Sequence, residues 1–167
     1  MIKVECNGSV HEFSSETTVG KVIKKVYGKK SGAIAALVND EEKDLSHLLL
    51  NDCKVELIDA SSKEGAYIMK HSCAHLLAQA VTELFPNAKP TIGPPIDEGF
   101  YYDFYMDPID ENDLRKIEKS MKKIIKQNIP IQREEHNNET LREIFSDNPF
   151  KIEIMDEKIG EEVGSSA

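Results

Sequence analysis

The chain has 167 residues, of which 40% are hydrophobic, and its formal net charge is −9 at pH 7. This length allows one or two small domains with modest cores. Three scattered cysteines without a CxxC pair exclude a disulfide framework and a structural zinc site. No signal peptide is recognisable, and no segment approaches the roughly 18 apolar residues of a membrane helix, so we expect a cytoplasmic protein without a membrane partner.

The first 60 residues have the pattern of a compact β-rich unit. The sequence predicts strands over residues 2–6, 9–13, 33–38 and 55–58, and a helix from Thr18 to about Gly28. Asn7-Gly8 is a strong signal for a two-residue hairpin turn between the first two strands. The order ββαββ is that of a β-grasp, ubiquitin-like fold, although the pattern alone leaves a different mixed α+β arrangement open.

The rest of the chain predicts a second α+β region after a short polar joint at residues 60–63. Its expected elements are a long helix 64–85, a Gly- and Pro-rich loop 91–99, an aromatic strand 100–104, a helix 114–126, a strand 129–135, a short helix 140–145 and an amphipathic segment 150–159. Asp110 and Asp113 form an N-cap pair before the helix 114–126. That helix carries six basic residues, which favours a solvated outer face over contact with phosphates because no aromatic side chain is interleaved.

His71 and His75 are the clearest chemical signal. Four residues apart on a helix, they lie about 40° apart around the axis and can share one substrate or water. They fall outside the helix's predicted apolar stripe, which consists of Met69, Cys73, Leu76, Leu77, Ala80 and Leu84. This position predicts a pair that faces open space beside small residues. The spacing alone is equally consistent with two solvated surface histidines, and it supports zinc only weakly because Ser72 stands where a metalloprotease has glutamate.

Several motifs resemble the threonyl-tRNA synthetase family. The first 60 residues are similar to its TGS module, and the stretch from His71 to Phe104 is similar to the editing domain that follows. The matching residues are His71, His75-Leu76-Leu77-Ala78, Phe85-Pro86, Ile92-Gly93-Pro94, Gly99-Phe100-Tyr101-Tyr102-Asp103 and the segment 148–154 around Lys151. The resemblance implies an α+β chain with a β-grasp TGS module over residues 1–61 and the first part of an editing domain over residues 62–167, incomplete at its C-terminus.

The resemblance also implies an activity. The family attaches threonine to tRNA with ATP in a class II core and hydrolyses mischarged seryl-tRNA in the editing domain. A second hydrolytic site is needed because one missing methyl changes binding by only ~1–3 kcal/mol. By this resemblance, His71 and His75 would orient the terminal ribose of the tRNA and the attacking water. Lys151 would balance charge at the ester carbonyl, and Tyr102 and Asp103 would line the pocket.

The chain also lacks parts of the family pattern. No Cys-x-x-x-His follows Lys151, and the class II motifs and zinc ligands of the core are missing. We therefore expect the N-terminal portion of the enzyme, inactive alone, without a metal or cofactor of its own; ATP, magnesium and zinc are implied for the missing core. The implied partners are the tRNA acceptor end, the rest of the synthetase chain and, for the full-length enzyme, a second copy in a homodimer.

Two other interpretations remain open from the sequence. One is a stand-alone TGS-type adaptor that binds RNA or protein without catalysis. The other is a metal-dependent hydrolase that uses His71, His75 and a carboxylate such as Asp103.

Overall fold

A computed structural model describes residues 1–129, 134 and 136–161. The chain divides into two compact units, Met1–Met69 and Lys70–Ala167. The domain boundary expected between residues 61 and 62 remains a prediction. Among the described residues, no helix has both the length and the apolar character needed to cross a membrane.

The first unit has the predicted β-grasp architecture. Its elements are β1 (Ile2–Cys6), β2 (Ser9–Phe13), β3 (Thr17–Thr18), α1 (Val19–Val26), β4 (Ala33–Val38), β5 (Glu41–Lys43), β6 (Leu48–Leu49) and β7 (Cys53–Asp59). Five strands form a mixed sheet in the order β2-β1-β7-β4-β5, in which β1 and β7 are parallel, and β3 pairs with β6. The sequence pattern missed only the short strands β3, β5 and β6.

Local signals account for the two sharpest boundaries of this unit. Asn7 and Gly8 both have positive φ, 52° and 70°, as a type I′ hairpin turn requires, so that Cys6 pairs with Ser9. The hydroxyl of Thr18 caps α1 by accepting a hydrogen bond from the Lys21 amide at 3.3 Å.

One apolar core holds this unit together. The strand β1 alternates buried and exposed residues, and α1 buries its apolar stripe. The largest fully buried side chains are Ile23, Val4, Val19, Val22, Val55 and Cys6. Each fully buried Val or Ile side chain stabilises the fold by roughly 1.5–3 kcal/mol relative to an exposed one. Burial of these side chains therefore favours packing of α1 on the apolar face of the sheet.

Among its described residues, the second unit contains most of a long helix, short strand pairs and three further helices. Its elements are α2 (Lys63–Leu84, which begins before the division at residue 69), β8 (Lys89–Pro90), β9 (Pro95–Ile96), β10 (Gly99–Phe100), β11 (Phe104–Tyr105), α3 (Glu111–Gln127), α4 (Asn138–Ile144) and α5 (Pro149–Glu161). The strands pair antiparallel, β9 with β10 and β8 with β11. The predicted strand 129–135 lies largely outside the described residues.

The continuous aromatic strand predicted over residues 100–104 is wrong. Phe100 belongs to β10 and Phe104 to β11, and the three residues between them leave the regular ladders. The reason is that Asp103 bonds through its main chain to Thr91 and Ile92 instead of continuing the β9–β10 pair. The loop predicted over residues 91–99 contains the short strand β9.

Helix α2 buries a slightly different face from the one its sequence predicts. Ala80 is buried as expected, but Met69 and Leu84 are 44% and 39% exposed, whereas Ala74 and Val81 are buried. In the middle of the helix, Leu76, Leu77, Ala80 and Val81 join a cluster with Ile117 and Ile124 of α3. The predicted cap of α3 is confirmed, since Asp110 and Asp113 form a capping box.

Candidate functional site

His71 and His75 lie side by side on α2, outside its buried face. Their ring centroids are 4.7 Å apart and the ring planes are tilted by 44°. Both residues are exposed, as the helical spacing predicted. Two imidazoles at this separation can contact one small polar group between or above them.

Lys151 lies in the first turn of α5, and Asn148 fixes that turn. The side chain of the buried Asn148 donates from Nδ2 to the Pro90 carbonyl of β8 at 2.9 Å. The main-chain carbonyl of Asn148 accepts a hydrogen bond from the Lys151 amide at 3.1 Å. A second link joins Lys89 Nζ to the Asp147 carboxylate at 3.4 Å. The start of α5 is therefore tied to β8, which determines the position of the Lys151 side chain.

Tyr102 lies between Gly93 and the lysine. Its ring stacks on Phe104 with centroids 4.8 Å apart, and the Lys151 ammonium is 5.9 Å from the Tyr102 centroid. A Cβ at Gly93 would come within 2.2 Å of the Tyr102 ring, so only glycine leaves room for the ring there. The aromatic ring thus provides a surface beneath the ammonium group.

The electrostatics of this cluster favour the uncharged form of His75. The pKa of His75 is lowered from its ordinary value of 6.5, mainly by partial desolvation of the imidazole, which is exposed on one side, and further by His71 and by the positive charge of Lys151. The pKa of Lys151 is lowered by burial and by Lys158, and the pKa of the Tyr102 hydroxyl is raised by burial. A neutral His75 at physiological pH can accept a proton or hold a water through its free ring nitrogen.

We call His71, His75, Tyr102 and Lys151 the histidine–lysine cluster. Asp103 is the fifth site residue predicted from the sequence, and it makes its contacts beside this cluster through its main chain. Its amide donates to the Ile92 carbonyl and its carbonyl accepts from the amide and hydroxyl of Thr91, each at 2.9 Å. These bonds hold Tyr102 in place, and a role for the exposed Asp103 carboxylate remains a prediction.

Sequence reasoning missed the supporting residues of the cluster. Lys70, directly before His71, donates from Nζ to the carbonyls of Ile96 and Asp97 at 2.9 and 2.5 Å and so holds the β9–β10 turn against α2. Asn148 was part of the motif that predicted Lys151, but nothing in the motif revealed its bond to Pro90. Both contacts join residues far apart in sequence, so no local pattern could have found them.

The metal-hydrolase interpretation finds no support in the geometry. Across residues 1–129, 134 and 136–161, no group of three or more His, Cys, Asp or Glu side chains could hold a metal ion. Zinc sites in proteins ordinarily use three or four such ligands, so the residues present do not fit zinc at the two histidines.

A groove of the second unit lies away from this cluster. It encloses about 620 Å³ at the C-terminal end of α2, between the segments 84–88, 105–109 and Asp113, and no member of the histidine–lysine cluster lines it. The chemistry of the cluster therefore does not use this groove.

Comparison with known proteins identifies the relatives of this chain. Residues 2–59 match the TGS domain family. A threonine–tRNA ligase of Thermotoga maritima is 42% identical over an alignment of 167 positions that covers 97% of this chain and 26% of the relative. The chain corresponds to the N-terminal part of threonine–tRNA ligases.

Other relatives agree with this assignment. The threonine–tRNA ligase of Thermobifida fusca is 43% identical over 95% of the chain and 24% of its own length, and that of Thermoplasma volcanium is 47% identical over 81% and 20%. The chain thus spans about a quarter of the length of these threonine–tRNA ligases. Because the similarity runs through both units, the family assignment is favoured over a stand-alone TGS adaptor.

Proposed function

We propose that this chain contributes the tRNA-recognising and proofreading part of a threonine–tRNA ligase, and that its second unit supplies half of a site that hydrolyses seryl-tRNA. The observation that carries the proposal is the histidine–lysine cluster. It brings a base of lowered pKa, a second imidazole and an ammonium group to one surface of the second unit.

Each group of the cluster has a role in ester hydrolysis. Neutral His75 takes a proton from a water as the water oxygen attacks the ester carbonyl carbon. Lys151 stabilises the negative charge that develops on the carbonyl oxygen, and His71 orients the terminal ribose. The bond between the carbonyl carbon and the ribose oxygen then breaks, the ribose oxygen takes up the proton that His75 received from the water, and free serine and tRNA result.

The residues around the cluster affect the rate of hydrolysis because they position its groups. Tyr102 and Asp103 would line the serine side of the pocket, while Lys70 and Asn148 hold the backbone that carries the cluster. Correct positioning supplies several kcal/mol of the rate enhancement, so these contacts matter as much as the chemical groups. The partner implied by this chemistry is the acceptor end of tRNA, with which the chain would act in the cytoplasm.

Hydrolysis of seryl-tRNA by a chimera tests the proposal. The chimera joins this chain to the following residues of the Thermotoga maritima relative, because this chain spans only 26% of that protein. Replacing His75 with alanine should reduce hydrolysis about 100-fold or more, the contribution of a positioned base. Attachment of threonine to tRNA should be unchanged, since it would occur in another domain.

A matched histidine provides the control. His47 belongs to the first unit and lies outside the cluster, so His47→Ala should leave hydrolysis of seryl-tRNA within twofold of the parent chimera. An equal loss of hydrolysis in both variants, or full hydrolysis after His75→Ala, would contradict the proposed function.

A further inference from the structure

The groove at the C-terminal end of α2 exposes large apolar side chains. We call it the α2-end groove; it lies between the segments 84–88 and 105–109 and reaches Asp113. Most of its lining is apolar, and Leu84, Tyr105 and Ile109 are 39%, 69% and 39% exposed. Large apolar side chains gathered at one open groove are typical of a surface that a protein partner covers.

The walls of the α2-end groove are held in place by the fold. Tyr105 pairs with Lys89 in the ladder of β8 and β11, and its ring lies against Phe150 with centroids 5.3 Å apart. Pro86 and Pro108, which also line the groove, each have a restricted φ angle. A partner therefore meets a preformed surface, and binding costs little conformational entropy on this side.

The α2-end groove is negatively charged. Residues 105–113 contain four acidic side chains and no basic one, namely Asp107, Asp110, Glu111 and Asp113. Among the described residues, neither lysine nor arginine lines the groove. This charge favours a cationic group on the partner and opposes a nucleic acid.

The end of α2 adds to the negative potential. The last turn of α2 contains no basic residue. Pro86 has no amide hydrogen, so it cannot donate a hydrogen bond to the carbonyl of Thr82, four residues earlier. Carbonyl groups at the C-terminus of a helix carry a partial negative charge and attract cations.

Asp107 is the carboxylate of the groove that remains available to a partner. Asp110 caps α3, and Asp113 accepts a hydrogen bond from Lys116 Nζ at 2.9 Å. In the part of the chain that the structure describes, the exposed Asp107 carboxylate makes no hydrogen bond or ion pair. Its charge is therefore not neutralised within the fold.

We propose that the α2-end groove docks a separate protein through a segment in which one arginine is flanked by apolar side chains. The planar guanidinium donates two parallel hydrogen bonds to the Asp107 carboxylate and stacks on the Tyr105 ring. The flanking apolar side chains cover Leu84 and Ile109. Arginine fits this groove better than lysine because only its planar fork can pair with a carboxylate and stack on a ring together.

Fluorescence anisotropy with a labelled peptide tests the proposal on the full chain. The peptide carries one arginine between leucines. Its control carries citrulline, which has nearly the shape of arginine but no charge, and should bind about tenfold more weakly. Equal binding of the two peptides, or no binding of the arginine peptide at about 1 mM chain, would overturn the proposal.

A substitution in the groove locates the binding site. Asp107→Asn should weaken the arginine peptide about tenfold and leave the citrulline peptide within about twofold, because it removes the charge and keeps the shape. The matched control is Asp40→Asn, which changes the net charge equally at an exposed position of the first unit. It should leave both peptides unaffected. Equal weakening by both substitutions would overturn the proposal in favour of non-specific attraction.

The chimera with the Thermotoga maritima relative distinguishes a separate partner from another part of the ligase. If a separate protein uses the groove, the chimera should bind the arginine peptide within about twofold of the affinity of this chain. Loss of binding in the chimera would overturn the assigned partner, since the rest of the ligase would then cover the groove. The assay measures no hydrolysis, so failure of seryl-tRNA proofreading is a separate result.

Discussion

Gly93→Ala should destabilise the second unit through one contact. The new Cβ would lie 2.2, 2.6 and 2.7 Å from three carbons of the Tyr102 ring, and the shortest of these distances is more than 1 Å inside ordinary contact distance. The ring must move, and it would lose its stacking on Phe104 and its position under the Lys151 ammonium. Overpacking of this kind costs about 1–3 kcal/mol, and the stacking accounts for about 0.5–1.5 kcal/mol of that.

A double-mutant cycle measures this contact directly. In a Tyr102→Ala background the new methyl has space, so Gly93→Ala should cost close to nothing there. Urea unfolding combined with amide hydrogen exchange gives the free energy for each of the four proteins, and peptides from the first unit serve as the internal control. An equal cost of Gly93→Ala in both backgrounds would refute the reasoning.

Four further perturbations test other parts of the structure. Thr18→Ala removes the cap of α1 and should lower the free energy of unfolding of the first unit by about 1 kcal/mol in urea titrations, while Thr18→Ser should not; equal curves for both would contradict the cap. Lys151→Met should raise the pKa of His75 in an NMR titration, since a positive charge that opposes protonation is removed, and an unchanged pKa would place the ammonium elsewhere. In the parent chain, His75 takes up a proton at a higher pH in the unfolded state than in the folded state. The free energy of unfolding should therefore decline as the pH falls below about 6.5, and it should decline less in His75→Gln. Asn148→Leu should speed amide exchange at the start of α5, because it leaves the Pro90 carbonyl without its donor at a cost of about 1–3 kcal/mol; slow exchange would show that the bond is dispensable.

Local sequence signals predicted the parts of the fold that local physics determines. Asn7-Gly8, Thr18 and the Asp110–Asp113 pair each set a boundary through backbone geometry or a nearby hydrogen bond, and each boundary is confirmed. The β-grasp order followed from strand alternation and one amphipathic helix. These features depend on residues within a few positions of one another.

Contacts between distant residues could not be predicted in this way. The bond from Asn148 to Pro90 spans 58 residues and that from Lys70 to Ile96 spans 26. The split of the aromatic strand has the same origin, since the main chain of Asp103 bonds to Thr91 and Ile92 instead of continuing the β9–β10 pair. The helical spacing indicated that the two histidines face away from the core, but the position of Lys151 beside them depends on tertiary packing.

Binding of a stable substrate analogue to the chain tests the central claim most directly. The analogue is a seryl-adenosine in which an amide replaces the ester, and the readout is the NMR signals of histidine rings and lysine side chains. The account predicts that the signals of His71, His75 and Lys151 shift together and saturably, while that of His47 does not. Adenosine alone should cause smaller shifts. Absence of shifts at the histidine–lysine cluster, or equal shifts at His47, would contradict the claim that this cluster receives the aminoacylated end of tRNA.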